Sequence, residues 1–190
     1  IDPREITRSY DADVMRINSQ SGKGGVGYLL EQNFGLNLPP KMREAMGYAA
    51  KEESDHKNKE LMPEEIFELF KRKFESLTHP YNITEVHFKQ VNGITAEVHT
   101  EHEGRQEVTY AEGNGRLNAV SNALKKCFGL QYNLVTYQEH ALEQSSSSRA
   151  IAYVGIQTPD GKLYWGAAVD PDIIRASIDA LLTAINNSVL

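Results

Sequence analysis

A glycine-rich stretch at residues 21–30, SGKGGVGYLL, carries the residue types best suited to phosphate binding. Gly22, Gly24 and Gly27 match the spacing G-x-G-x-x-G of dinucleotide-binding turns. Gly22 and Gly27 also match the start of a P-loop. That loop needs Lys and then Ser or Thr directly after its last glycine, to reach the phosphates and the Mg²⁺. Tyrosine and leucine stand there instead, so the P-loop chemistry is missing.

The dinucleotide interpretation fails on context. It requires a strand before the glycines, a helix after them and a second parallel strand with an acidic residue about twenty positions on. Pro39, Pro40 and another helical pattern follow here. The sequence therefore disfavours nucleotide binding and predicts a helix start with Ser19 or Ser21 as N-cap, in which the glycines allow close packing.

Two other groups of residues could do chemistry. His99 and His102 are metal-ligand types, but a spacing of three on a strand directs the rings to opposite faces. Glu139 and His140 lack a nucleophile placed by any motif. We therefore predict no catalytic residue, no metal site and no cofactor in this chain.

Composition narrows the class of protein. The 190 residues allow one domain, or a compact domain preceded by a smaller subdomain. With 40% hydrophobic and 24% charged residues the chain is of globular type. Its net charge of −6 argues against duplex nucleic acid or an anionic membrane as the main partner. Small molecules or proteins remain as partners.

Cysteine usage and the apolar runs indicate a compartment. Cys127 is the only cysteine, so an intrachain disulfide cannot form and a reducing, cytoplasmic location is the simple inference. No apolar run approaches the roughly 18 residues of a membrane span, and no signal-peptide pattern is present. The chain begins without methionine, from which we expect a fragment of a longer protein.

Residues 1–78 are predicted to form a helical subdomain with an irregular lead. One helix covers about 21–34 and ends at Gly35, a second follows Pro40, and a third begins at Pro63. The third has acidic residues in its first turn and an apolar stripe at helical spacing. Residues 51–59, KEESDHKNK, are predicted to be a polar linker.

From Tyr81 the periodicity alternates, which predicts a domain of antiparallel sheets over residues 79–190. Asn92-Gly93 and Glu103-Gly104 are suited to tight hairpins. The order of strands and helix then repeats, and LNAVSNAL at 117–124 aligns with IRASIDAL at 174–181. We predict an α+β fold of two βββα units, residues 81–128 and 129–190. The predicted strands are 82–91, 94–102, 105–111, 130–141, 149–158 and 162–169. The predicted helices are 115–128 and 171–189, and the first of them has Leu117, Val120, Leu124 and Cys127 on its inward face. Residues 143–148 are predicted to form a mobile loop.

Four segments resemble the 2-isopropylmalate synthase family. They are RINSQSGKGGVGYLLEQNFGLNLPPKM at 16–42, EGNGRLNAVSNAL at 112–124, YQEHAL at 137–142 and YWGAAVDPDIIRASIDALLTAIN at 164–186. The resemblance implies a linker subdomain followed by a regulatory domain that forms a homodimer and binds leucine as feedback inhibitor. In the family, a catalytic barrel with a divalent metal condenses acetyl-CoA with 2-oxoisovalerate. That barrel has no counterpart here, so this chain alone is expected to be inactive.

The resemblance also implies a leucine site. The carboxylate of leucine suits the N-terminus of the helix after Gly113-Asn114-Gly115. The family's effector contacts correspond to Asn114, Gly115, Leu117, Leu134, Tyr137, Ala141 and Val169. We add Asp170 as a partner for the ammonium group of leucine. Arg116 stands where the family usually has proline. Leu134 and Tyr137 are three apart, so either a bulge re-aims one of them or the pocket crosses a subunit interface.

Alternatives remain open from sequence. Asn114 could simply cap a helix, and Leu117, Leu134 and Val169 could be ordinary core. A citramalate synthase carries a similar domain and would sense isoleucine. A dimerisation module without a ligand is a third possibility.

Overall fold

The computed structural model describes residues 23–142 and 148–190, and the chain divides into two compact units, residues 1–72 and 73–190. Five helices and two three-stranded antiparallel sheets lie in the described residues, which confirms the predicted α+β class. Within these ranges, no helix is long and apolar enough to cross a membrane.

The first unit is helical. Its helices are α1 (Lys23–Phe34), α2 (Pro40–Lys57) and α3 (Pro63–Phe74). The predicted end of α1 is confirmed, because Gly35 has φ +68° and the amide of Leu36 donates back to the carbonyl of Leu30. The serines predicted to cap α1 lie outside the described residues.

The polar-linker prediction for residues 51–59 is wrong, because α2 continues through this stretch to Lys57. KEESDHK contains no helix breaker, and Lys57 lies 3.3 Å from Glu53 one turn earlier. Ser54 is buried and its hydroxyl donates to the carbonyl of Lys59. The helix ends where Asn58 adopts the left-handed conformation. Polarity therefore marked an exposed helical face rather than a loop.

The predicted start of α3 is confirmed, and its apolar stripe is confirmed up to the end of the helix at Phe74. Pro63 opens the helix, and Ile66, Leu69 and Phe70 are buried along it. Lys59 donates a hydrogen bond to Glu65 in the first turn, which holds the pKa of that carboxyl below its usual value.

The glycine-rich stretch is helical from Lys23 onward, which is incompatible with an open phosphate loop over those residues. A Cβ added to Gly27 would lie 3.0 Å from Cδ of Arg43 on α2. The glycine thus leaves room for the Arg43 side chain against α1, and the predicted tight packing of the helix backbones stays a prediction.

The second unit contains two βββα repeats. The first consists of β1 (Asn82–Gln90), β2 (Ile94–His102), β3 (Arg105–Gly113) and α4 (Arg116–Phe128). Both predicted hairpin turns are confirmed, because Asn92, Gly93, Glu103 and Gly104 all have positive φ. Cys127, predicted to face inward on α4, is only half-buried.

The second repeat consists of β4 (Asn133–Ala141), β5 (Ala150–Gln157), β6 (Leu163–Asp170) and α5 (Ile173–Val189). Most of the predicted loop at 143–148 lies outside the described residues. Each repeat has a register shift at the same place in its first strand, after Ile83 in β1 and after Leu134 in β4. Because the register shift occurs at the equivalent position in both repeats, the duplication extends to the backbone conformation of the strands.

The repeats share one core rather than folding separately. Val98, Val120 and Leu124 of the first repeat pack in the same cluster as Val154 and Leu181 of the second. Arg175 of α5 also donates to the carbonyl of Ile83 in β1 at 3.2 Å. Side chains of both repeats can therefore meet at one site.

Candidate functional site

A groove of about 690 Å³ lies where the two repeats meet. Its volume is in the range of small-ligand pockets. Residues from the first turn of α4, from β4 and from the first turns of α5 line it: Gly115, Arg116, Leu117, Asn118, Leu134, Tyr137, Ile174, Ser177 and Ile178. We call this the inter-repeat groove.

A β-bulge brings the two β4 residues to the groove. Leu134 pairs with Ile156 and Thr136 with Gly155, so Val135 is an extra residue in the strand. Because of this insertion, Leu134 and Tyr137 face the same side despite their spacing of three. The sequence left two explanations for the spacing of these residues, a bulge or a pocket across a subunit interface, and the structure contains the bulge.

The duplication accounts for the apolar walls. Leu117 of α4 and Ile174 of α5 occupy equivalent positions in the aligned helix starts, and both line the groove. The alignment of the two helix starts therefore carries the signal for Ile174 as the counterpart of Leu117. Ile174 was not predicted from the sequence, and Ser177 and Ile178, one turn further along α5, were also missed.

The two helices differ at their N-termini. The carboxylate of Asp172 accepts a hydrogen bond from the amide of Ile174 at 2.9 Å and caps α5. The N-cap of α4 is Gly115, and no side-chain cap is found there among the described residues. Asn114 therefore is not the cap that the sequence suggested. Its own amide donates to Oδ1 of Asn118 at 3.0 Å.

A polar cluster borders the groove. The hydroxyl of Tyr137 lies 2.6 Å from Oγ of Ser177 and donates to the carboxylate of Glu139. Burial, together with this carboxylate, raises the pKa of Tyr137. The phenol therefore keeps its single proton, which it donates to Glu139.

Four predicted site residues line the groove, namely Gly115, Leu117, Leu134 and Tyr137. Asn114 directly precedes it in sequence. The other three lie in β4 and β6 and do not line the groove. Ala141 pairs with Ala150, and Val169 pairs with Ile151. The carboxylate of Asp170 accepts a hydrogen bond from the amide of Asp172 at 2.8 Å.

Taken together, two βββα repeats with a shared core and a groove at both helix N-termini define a duplicated α+β domain. The chain belongs to the LeuA allosteric (dimerisation) domain family, whose model matches residues 60–189. A second model, the alpha-isopropylmalate synthase post-catalytic domain-like family, matches residues 1–31.

Curated relatives agree with this assignment. The chain is 47% identical over 189 residues to a 2-isopropylmalate synthase of Desulfitobacterium hafniense, covering 100% of this chain and 34% of the relative. It is 40% identical over 195 residues to a 2-isopropylmalate synthase of Helicobacter hepaticus, covering 98% of this chain and 35% of the relative. The chain thus spans about a third of the length of these relatives.

Proposed function

We propose that this chain is the regulatory part of a 2-isopropylmalate synthase and binds free leucine in the inter-repeat groove as a feedback inhibitor. The observation that carries the proposal is the groove itself, which combines aliphatic walls from both repeats with the N-terminus of α4. Residues 1–78 would form the linker subdomain and residues 79–190 the regulatory domain, which we propose to be a homodimer. The family's name and the relatives' names support this function.

The side chain of leucine would contact the aliphatic residues. Leu117 and Leu134 come from the first repeat helix and the bulged strand, and Ile174 and Ile178 come from the second repeat helix. Burying a leucine side chain among such residues contributes roughly 1.5–3 kcal/mol. This wall favours a branched aliphatic amino acid over a polar one.

The carboxylate of leucine would bind the first turn of α4. Backbone amides at a helix N-terminus and the helix dipole both favour an anion. Gly115 leaves space there, since an added Cβ would meet no described atom within 4 Å. At the equivalent end of α5 the carboxylate of Asp172 already occupies this role. The geometry therefore favours α4 over α5.

The ammonium group of leucine would bind near Tyr137. Glu139 supplies a carboxylate beside the Tyr137 hydroxyl, and Ser177 supplies a second oxygen. Asp170, the partner suggested by the sequence, has Oδ1 engaged by the amide of Asp172 and does not line the groove. Glu139 does not line the groove either, but its carboxylate contacts Tyr137, which does, so we assign the ammonium to Glu139.

Regulation would follow from the position of the groove between the repeats. A ligand that contacts α4, β4 and α5 together stabilises one arrangement of the repeats over others. Such couplings are typically about 1–3 kcal/mol. In the whole enzyme this difference would reach a catalytic barrel, with its divalent metal, that condenses acetyl-CoA with 2-oxoisovalerate.

Thermal unfolding with leucine, isoleucine, valine and ATP tests the proposal. Leucine at a hundred times its dissociation constant should stabilise the chain by about 2.7 kcal/mol. Leu117→Ala should remove most of this shift, whereas the matched control Leu163→Ala, on exposed β6 surface, should retain it. A response to isoleucine at far lower concentration than leucine would favour a citramalate synthase. No response to any branched amino acid would leave a dimerisation module.

A further inference from the structure

A cluster of histidine and glutamate side chains lies on the face of the first sheet opposite α4. Glu85 and His87 project from β1, and His99 projects from β2. One donor atom from each of these residues lies within 4.8 Å of the other two. The groups come from two strands, so their meeting depends on strand pairing and not on local sequence alone.

The register explains the meeting. Glu85 pairs directly with His99, and His87 pairs with Glu97. Side chains of paired residues on one face lie about 5 Å apart at Cβ. The bulge after Ile83 sets the phase of β1, so Val86 faces the core with Val98 while Glu85 and His87 face outward. All four side chains therefore share one patch of the outer face.

The distances between the donor atoms are compatible with one shared metal ion. Nε2 of His87 lies 2.7 Å from Oε1 of Glu85, and Nδ1 of His99 lies 3.8 Å from Oε2 of the same carboxylate. In a tetrahedral zinc site with metal–ligand distances near 2.0–2.1 Å, ligand atoms are roughly 3.3 Å apart. The observed separations lie on both sides of that value. Small side-chain rotations would close the three groups around an ion.

Glu97 holds His99 in a useful orientation. Nε2 of His99 lies 3.0 Å from Oε2 of Glu97, which leaves Nδ1 directed at Glu85. The hydroxyl of Tyr110 on β3 donates to the other oxygen of Glu97 at 2.8 Å. Carboxylates that bind the far nitrogen of a ligand histidine commonly set its tautomer and raise its basicity. Tyr110 and Glu97 thus form an orienting chain behind His99.

We propose that Glu85, His87 and His99 bind a divalent transition-metal ion of the zinc type, with Glu97 as a positioning residue. Two imidazoles and one carboxylate are a ligand set that Zn²⁺ accepts, with water in the fourth position. The ion would join β1 to β2 on the exposed side of the hairpin. The site is separate from the inter-repeat groove and does not rest on the proposed function.

Titration of the full 190-residue chain with Zn²⁺, followed by calorimetry, tests the site. We expect one ion per chain, and at least tenfold weaker binding in His87→Ala and in His99→Ala. His56→Ala is the matched control, because His56 is exposed on α2 and outside the cluster. Co²⁺ provides a spectroscopic readout, since a tetrahedral site gives intense visible absorption that the two cluster variants should lose.

Glu97→Gln tests the positioning role. It should weaken Zn²⁺ binding about 10- to 100-fold and shift the Co²⁺ spectrum, while Glu97→Asp restores part of both. Circular dichroism of each variant checks that the fold is intact. Equal affinity in His56→Ala, His87→Ala and His99→Ala would overturn the proposal. So would the absence of Zn²⁺ binding below millimolar concentration.

Discussion

The hydroxyl of Tyr137 on β4 lies 2.6 Å from Oγ of Ser177 on α5. This contact joins the bulged strand to the second repeat helix at the inter-repeat groove. Ser177 is almost fully buried, whereas 40% of Tyr137 is exposed. The tyrosine therefore presents one polar atom to a buried partner and a ring face to the groove.

Tyr137→Phe should weaken leucine binding about tenfold, because one hydrogen bond near the ligand's polar end is lost. The fold should be retained, since the ring remains. Isothermal titration calorimetry with leucine measures the change. Tyr28→Phe on exposed α1 is the matched control and should bind as the parent does. Unchanged affinity in Tyr137→Phe would remove this residue from the proposed site.

Gly166→Ala should destabilise the second unit by about 3 kcal/mol. The added methyl group would force α5 away from β6, and that separation would lose core contacts. The added Cβ would lie 2.2 Å from the carbonyl oxygen of Ala180 and 2.5 Å from the amide nitrogen of Ala184. Urea unfolding followed by fluorescence of Trp165, the single tryptophan, reports on this unit.

The control for this substitution is Gly115→Ala. An added Cβ there meets no described atom within 4 Å, so the cost should stay below about 1 kcal/mol. The same variant should nevertheless weaken leucine binding, because the methyl group would narrow the approach to α4. Equal destabilisation by Gly166→Ala and Gly115→Ala would show that the contact between α5 and β6 is no more tightly packed than the start of α4.

Asn186→Ala should cost about 3 kcal/mol, because it leaves three partly buried backbone groups without partners. The Asn186 side chain accepts from the amide of Tyr81 and donates to the carbonyls of Leu77 and Tyr81, each at 2.9 Å. It thereby anchors the segment that leads into β1. Ser188→Ala, two residues on, should cost far less, and urea midpoints of the two variants give the comparison.

Tyr132 should make the second unit sensitive to alkali. Burial raises the pKa of Tyr132 to about 12 from the ordinary value of 10.0. Because the folded state favours the protonated phenol, its contribution is full below pH 10 and is lost as pH rises toward 12. A rise of the pKa from 10.0 to about 12 corresponds to roughly 2.7 kcal/mol of folding free energy.

Tyr132→Phe isolates this effect. At pH 8 the variant should be about 1 kcal/mol less stable, since the hydrogen bond to Ser121 at 2.8 Å is lost. Between pH 10 and 12 the difference should shrink and then reverse in sign. Urea unfolding by circular dichroism at pH 8, 10 and 11.5 measures it. A constant difference across this range would contradict the buried-phenol explanation.

Much of the fold could be predicted because its signals are local. Alternation along β2, the Asn92-Gly93 and Glu103-Gly104 turns and the repeated helix starts all act within a few residues, and the structure confirms them. The linker prediction at 51–59 was wrong because composition alone does not separate a solvated helix face from a loop. Buried Ser54 and the Glu53–Lys57 pair decide that case.

The sequence by itself determined the duplicated βββα architecture, the helix boundaries near Gly35 and Pro63, and the helix-start residues Gly115 and Leu117. Only the tertiary structure decided which residues meet. The bulge in β4 turned Leu134 and Tyr137 to one side, and α5 contributed Ile174 and Ser177. Strand pairing placed His99 opposite Glu85 and near His87. Periodicity reports the direction of a side chain relative to its own element, whereas a site depends on register and packing between elements distant in sequence.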